Sequence, residues 1–191
     1  MLNSLIEHLQ KIKDFRSSSG QRYPLYFILI IVILGMAQGY TSYRAIGDFA
    51  KSNREYLTRY FHFLRSSVPS YSTIRRAMIN IDHDQVIEVF NDWANMIAHS
   101  NHQIKDDDLE CIGIDAKSLV STLTDTFKSK QNFVSIISGF SQDTQMVVAV
   151  SIFKNKEQSE MRQTQSLIEK GLMKNKIFTL DALHCQKKLS A

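Results

Sequence analysis

Apolar residues recur at Leu2, Leu5, Ile6, Leu9 and Ile12. That is the spacing of one helix face, so the chain is expected to open on an amphipathic helix over Leu2 to Lys13. A polar turn from Arg16 to Arg22 (RSSSGQR) follows. Pro24 then stands where a helix begins, because its missing N–H is no loss in a first turn. The run from Leu25 to Ala37, LYFILIIVILGMA, carries no charge. It is shorter than the roughly 20 residues a helix needs to cross a bilayer, and Arg22 and Arg44 flank it. A buried core helix is expected there. Gly35 and Gly39 suit a close helix approach or the helix end. From Ser42 to Leu64 an amphipathic stretch places Ala45, Ile46, Phe49 and Ala50 on one face. Arg44, Lys51, Arg54 and Arg59 lie largely off it. After a turn at Pro69, Ser70 or Ser72 can cap a helix over Thr73 to Ile79. Asp82 can cap the next, with Val86, Val89, Phe90, Trp93, Met96 and Ile97 on its apolar face. Residues 1 to about 100 therefore read as helical.

The period changes after His99. His99 to Asp108 is polar and ends in three aspartates, the pattern of a solvated linker. Beyond it the pattern is strand-like: Glu110 to Ala116, Asn132 to Gly139 and Gln145 to Phe153 are short apolar runs. The connection Gly139 to Thr144 predicts a hairpin of the last two. Glu157 to Lys170 reads as a helix with Met161, Leu167 and Ile168 inward, closed by Gly171. Lys176 to Leu180 is a fourth strand. The expected fold class is α plus α/β, with a helical domain over 1–100 and a mixed-sheet domain over 109–191.

Composition changes this picture little. A chain of 191 residues holds one large or two small domains, and 43% hydrophobic content argues against wholesale disorder. The formal charge of +4 permits a nucleic-acid partner without demanding one. Two cysteines, Cys111 and Cys185, with no CxxC spacing argue against a zinc ribbon or disulfide framework. They suit the reducing cytosol, and the first residues lack the order of a secretion signal, so a cytoplasmic protein with no membrane partner is expected. His184 beside Cys185 is a poor candidate for nucleophilic chemistry, since such pairs are assembled in space.

The chemistry lies in two aspartates. Asp115 is expected at the C-terminal end of the first strand and Asp181 at that of the fourth. A helical crossover would let those strands lie parallel and adjacent, bringing two carboxylates to one sheet edge, where open α/β sheets place ligands. Two converging carboxylates suit hard cations, Mg²⁺ or Mn²⁺. Either residue alone is as readily a helix cap or a loop acid.

IGIDAKSLVS from Ile112, FVSIISG from Phe133 and FTLDALHCQK from Phe178 occur here in an order and spacing that resembles the H-repeat-associated transposases, a DDE family of insertion-sequence enzymes. PSYSTIRRAM from Pro69 is similar to that family's N-terminal region. The resemblance implies an RNase H-like catalytic domain behind a helical one. It implies Asp115 and Asp181 as the first two members of a catalytic triad, Lys117 near the phosphates and a two-metal site of Mg²⁺ or Mn²⁺ for DNA cleavage and strand transfer. An RNase H fold can also recruit an acid from the crossover helix, where Glu160 stands. The family's Asp-Gly-Lys is here Asp115-Ala116-Lys117. Its third acid lies on a later helix, beyond Ala191, so the resemblance implies an incomplete sheet, a truncated enzyme and weak or no strand transfer. Double-stranded DNA of the element ends is the implied partner, with Arg75 and Arg76 on a recognition helix and Arg44, Lys51 and Arg54 on the backbone. Homo-oligomers are compatible with this reading. The alternatives are a non-catalytic DNA-binding fragment that competes with full-length transposase, and a small membrane or interaction protein built around residues 25–37.

Overall fold

The structure, a computed structural model, describes residues 2–62, 67–101, 109–124, 132–154, 159–171 and 175–180. The chain divides into two compact units, Met1–Val89 and Phe90–Ala191.

The first unit is helical: α1 Leu2–Leu9, α2 Leu25–Ala37, α3 Tyr43–Ser52, α4 Arg54–Tyr60, α5 Tyr71–Asn80 and the start of α6, His83–Asn101. α2 is its centre. Eight residues of α2 are buried, among them Phe27, Ile28, Ile30 and Ile31 with no exposed surface. An all-round apolar helix belongs inside a core, as expected from its length and lack of charge. Ser18–Ala37 is long and apolar enough to cross a membrane by length and composition, but half of it is buried inside the protein.

The caps follow the side chains. Ser42 Oγ accepts from the Ala45 N–H at 3.2 Å, and Ser70 Oγ from the Thr73 N–H at 3.4 Å. Asp82 Oδ1 takes the N–H groups of Asp84 and Gln85 at the start of α6. Gly39 adopts φ +87° just past α2, a conformation glycine reaches without strain. Gly35 serves the close approach: a Cβ there would lie 3.3 Å from Phe49 of α3.

Three expectations are corrected. The first helix ends at Leu9, although Ile12 is still buried beyond it. The stretch from Ser42 is two helices that meet at Asn53, whose backbone N–H and side chain both donate to the Phe49 carbonyl, at 3.0 and 2.9 Å. Met96, expected on the apolar face of α6, is 40% exposed, while Ala94 and Ala98 are buried. Small residues on that face allow closer approach than the larger side chain.

In the second unit, β1 Glu110–Thr124, β2 Asn132–Ser141, β3 Met146–Lys154 and β4 Lys176–Thr179 form one sheet in the order β3-β2-β1-β4. β2 is antiparallel to both neighbours, and β4 is parallel to β1. α7, Glu160–Gly171, precedes β4. The hairpin, the crossover helix and the parallel fourth strand are as expected. β1 is about twice as long as its apolar run, because β2 pairs with it through the polar continuation Lys117 to Thr124. At the irregularity in that pairing, the Thr122 hydroxyl takes the Val134 N–H at 2.9 Å.

Side chains alternate across the sheet. Ile112 and Ile114 of β1, Ser135 and Ile137 of β2, and Ala149 and Phe153 of β3 point to one buried face, joined by Ala98 of α6 and Leu167 of α7. Phe140, Ile152 and Ile177, each 38–44% exposed, lie on the other face.

Candidate functional site

Asp115 stands on that second, open face. It is expected at the end of a strand, but lies in the body of β1, directly across from Ser138 of β2. The parallel neighbour is short. β4 runs beside Glu110 to Gly113, and its last paired residue, Thr179, meets Gly113. Asp115 is thus two residues past the paired part of β4. It is exposed, and among the described residues it has no hydrogen bond and no ion pair. Among the described residues this carboxylate therefore neither caps a helix nor joins an ion pair. Lys117, two residues on, shares the face, is exposed and lies opposite Ile136.

The register of β4 is locked at its start. Lys176 Nζ donates to Glu110 Oε2 at 2.7 Å, with side chains only 12% and 6% exposed, and the Glu110 N–H donates to the Asn175 carbonyl at 2.9 Å. Sequence reading missed this pair. The available signal was opposite charges at the first residues of two strands expected to be parallel. The loop after β2 adds a further tie, with the Cys111 N–H donating to Asp143 Oδ2 at 3.1 Å. Cys111 is only half-buried, since it lies on the open face.

Glu160 is the first residue of α7 and is exposed. Asp181, His184 and Cys185 lie outside the described residues. Among the described residues no three of His, Cys, Asp and Glu come together to hold a metal ion.

The basic candidates lie in the first unit, and so does the net charge. Residues 1–89 carry eleven Lys and Arg against seven Asp and Glu, whereas residues 90–191 carry twelve of each. α5 buries Ile74 and Ala77 and leaves Arg75 and Arg76 exposed. Arg76 Nε donates to the Ser72 carbonyl at 3.3 Å. The Arg44 guanidinium of α3 lies 5.7 Å from the centre of the Tyr71 ring, so the structure brings Arg44 to the first turn of α5. The contact is possible because Gly47 of α3 abuts Tyr71: a Cβ at Gly47 would come within 2.8 Å of the Tyr71 Cβ and 3.1 Å of its backbone nitrogen. Lys51 is partly engaged by Asp48 at 3.8 Å, an exposed pair of small energetic weight. Arg54 begins α4 and is exposed.

Residues 6–94 match the DDE_Tnp_1-associated family. Over 189 residues, 99% of the chain, it is 28% identical to the H repeat-associated putative transposase YhhI of Escherichia coli (strain K12), covering 47% of that protein. It is 27% identical to the H repeat-associated putative transposase YbfD of the same strain, covering 71% of it, and 26% identical to the putative transposase YncI of Escherichia coli O157:H7, covering 46%. The chain spans about half the length of the first curated relatives it matches. No solved structure matches. Residues 6–94 are thus similar to the DDE_Tnp_1-associated family, and the chain along its whole length is similar to the H repeat-associated putative transposases.

Proposed function

We propose that this chain carries the DNA-binding part and the first two catalytic carboxylates of a DDE transposase, in a helical domain over 1–100 and an RNase H-like domain over 109–191. The observation that carries the reading is Asp115, a carboxylate with no side-chain partner among the described residues, on the open face of β1 just past the paired end of a parallel β4. Two residues after the paired Gly113 and Thr179 the sequence has Asp115 and Asp181. If the pairing continues in register, the two acids are neighbours on one face. Support also comes from the relatives' names, from the strand order β3-β2-β1-β4 and from the location of the net charge.

In this reading Asp115 and Asp181 hold Mg²⁺ or Mn²⁺, with Glu160 a further acid on α7. The bound pair of ions supplies an activated water and charge for the leaving oxygen of a phosphodiester. Lys117, beside Asp115 on the same face, neutralises a DNA phosphate. Arg75 and Arg76 on α5 contact the duplex of the element ends, with Arg44, Lys51 and Arg54 on its backbone. The protein is cytoplasmic, and two copies would hold two element ends.

The test is titration of the purified chain with Mn²⁺, comparing wild type with an Asp115→Ala, Asp181→Ala double variant. Saturable binding that the double variant loses is expected. Equal binding by both, in chains of matching circular dichroism, sinks the metal site. A second reading, a DNA-binding competitor without catalysis, is favoured by the confinement of net charge to the first unit. It predicts duplex binding that falls steeply with salt, less steeply after Arg75→Ala, with no dependence on Asp115.

A further inference from the structure

A groove of about 970 Å³ opens in the first unit between α1, α2 and α4, away from Arg75 and Arg76 of α5. Ile6, Leu34 and Phe49 are among its apolar lining, and Tyr56, Arg59 and Tyr60 of α4 form a wall. These three are spaced i, i+3 and i+4, so they share one side of the helix. Tyr60 is held: its hydroxyl donates to Asn3 Oδ1 at 2.8 Å, and its ring meets Phe61 edge-on at 5.1 Å. Tyr56 is 78% exposed and, among the described residues, has no hydrogen bond and no ring contact. Arg59 has no ion-pair partner among them. An aromatic ring kept in water beside a fixed second ring and an unpaired guanidinium contributes little to this unit's own core.

We propose that the groove binds single-stranded DNA, taking an unpaired base against Tyr56 and Tyr60 while Arg59 meets the adjoining phosphate. Aromatic faces accept any base, and stacking gains from a nearby cation. The choice of a polyanion over a peptide or a second copy rests on charge: among the described residues, the lining of the groove includes Arg59 and no Asp or Glu. The inference rests on the reading of the chain as a DNA-acting protein, but uses different residues from the proposed duplex surface.

The experiment uses the full chain and two probes, a single-stranded oligonucleotide containing 2-aminopurine and a duplex of matching length. Binding of the single strand should quench the 2-aminopurine by stacking. Tyr56→Ala should weaken that binding about tenfold and relieve the quench, with duplex affinity unchanged. Arg59→Ala should lower the salt slope for the single strand by about one. Tyr56→Trp, which keeps a stacking face, should retain binding and quench, which separates a stacking role from a folding defect. Wild-type affinity and quench in Tyr56→Ala overturn the proposal. So does a change of oligomeric state in that variant without loss of single-strand binding, which assigns the groove to a second copy. Arg75→Ala with Arg76→Ala separates the two readings. Duplex binding without single-strand binding leaves only the duplex surface standing, and the reverse leaves only the groove.

Discussion

The two units solve the burial problem differently. In the first, an uncharged helix buries eight of its residues against α1, α3, α5 and the start of α6, so most of its apolar surface is used inside, while Arg44, Lys51, Arg54, Arg75 and Arg76 are left outside. In the second, one face of a four-stranded sheet is buried while the other, which carries Asp115, keeps Phe140, Ile152 and Ile177 partly in solvent. Exposed apolar side chains on a sheet face are a place for further structure or a partner to land. A carboxylate among them gains electrostatic strength when water is displaced. The first unit thus offers charge to a partner, and the second offers a carboxylate in surroundings that can be dried.

The comparison breaks most directly at the two cores. Phe27 has no exposed surface and meets Phe61 edge-on at 5.0 Å. Phe27→Ala should cost about 3–5 kcal/mol, the range for emptying an aromatic site. Amide exchange in α2 and α3 should accelerate, while the denaturant midpoint of the single tryptophan, Trp93 of the second unit, should stay put. A shifted Trp93 midpoint would mean that the units unfold as one.

The matching break in the second unit is Glu110→Ala, which leaves the Lys176 ammonium buried without its carboxylate. Loss of one partner of such a pair costs about 3–5 kcal/mol. The Trp93 midpoint should fall and Mn²⁺ binding should fall with it, because β4 loses the contact that sets its register. Retained Mn²⁺ affinity would show that β4 does not position the metal site.

How far the sequence reaches follows the same division. The helical unit was legible because its signals are local: α2 by its uncharged run, α3 by its amphipathic face, α5 by its capping serine, the end of α2 by Gly39. What was missed there is tertiary. Gly47 is an unremarkable residue in an amphipathic helix until Tyr71 is placed against it. Tyr56 and Tyr60 look like ordinary members of a mixed face until α1 and α2 give them a groove. In the second unit the order of strands and the hairpin were legible from period and connection length. The length of β1 was not, because a polar stretch becomes strand only when β2 supplies its hydrogen bonds. Asp115 was found from its place after an apolar run. Its exposure and lack of partners depend on which face the core occupies, and parity along a strand does not say which face will be covered.

Asn91 offers a smaller, more local test of the second unit. Its side chain reads the edge of β3 as a neighbouring strand would: Nδ2 donates to the Val150 carbonyl at 2.9 Å, and Oδ1 accepts the Val150 N–H at 2.8 Å. Asn91→Ala removes both bonds and leaves two backbone groups to find water, at about 1–3 kcal/mol. The Val150 amide should exchange faster, with Mn²⁺ binding unchanged. Unchanged exchange at Val150 would mean that another group satisfies this edge.

The smallest effect belongs to the first unit and depends on pH. Arg16 donates from Nε to Asp14 Oδ1 at 2.8 Å and from a terminal nitrogen to Oδ2 at 2.7 Å, and the same terminal nitrogen holds the Tyr23 carbonyl at 2.7 Å. The hydrogen bonds from Arg16 hold the Asp14 carboxyl below the ordinary carboxylate range, against a smaller opposing push from burial. A carboxyl whose pKa is depressed in the folded state stabilises that state at any pH above the unfolded value of about 3.9, and this stabilisation is lost as pH falls through the folded value. The pair is partly in water, so the stabilisation is under about 1 kcal/mol at neutral pH. Asp14→Asn should lower the first unit's stability by that small amount at pH 7, and the difference from wild type should fade as pH falls through the folded-state value. A difference that persists into acid would assign the effect to hydrogen bonds the amide cannot make rather than to the charge.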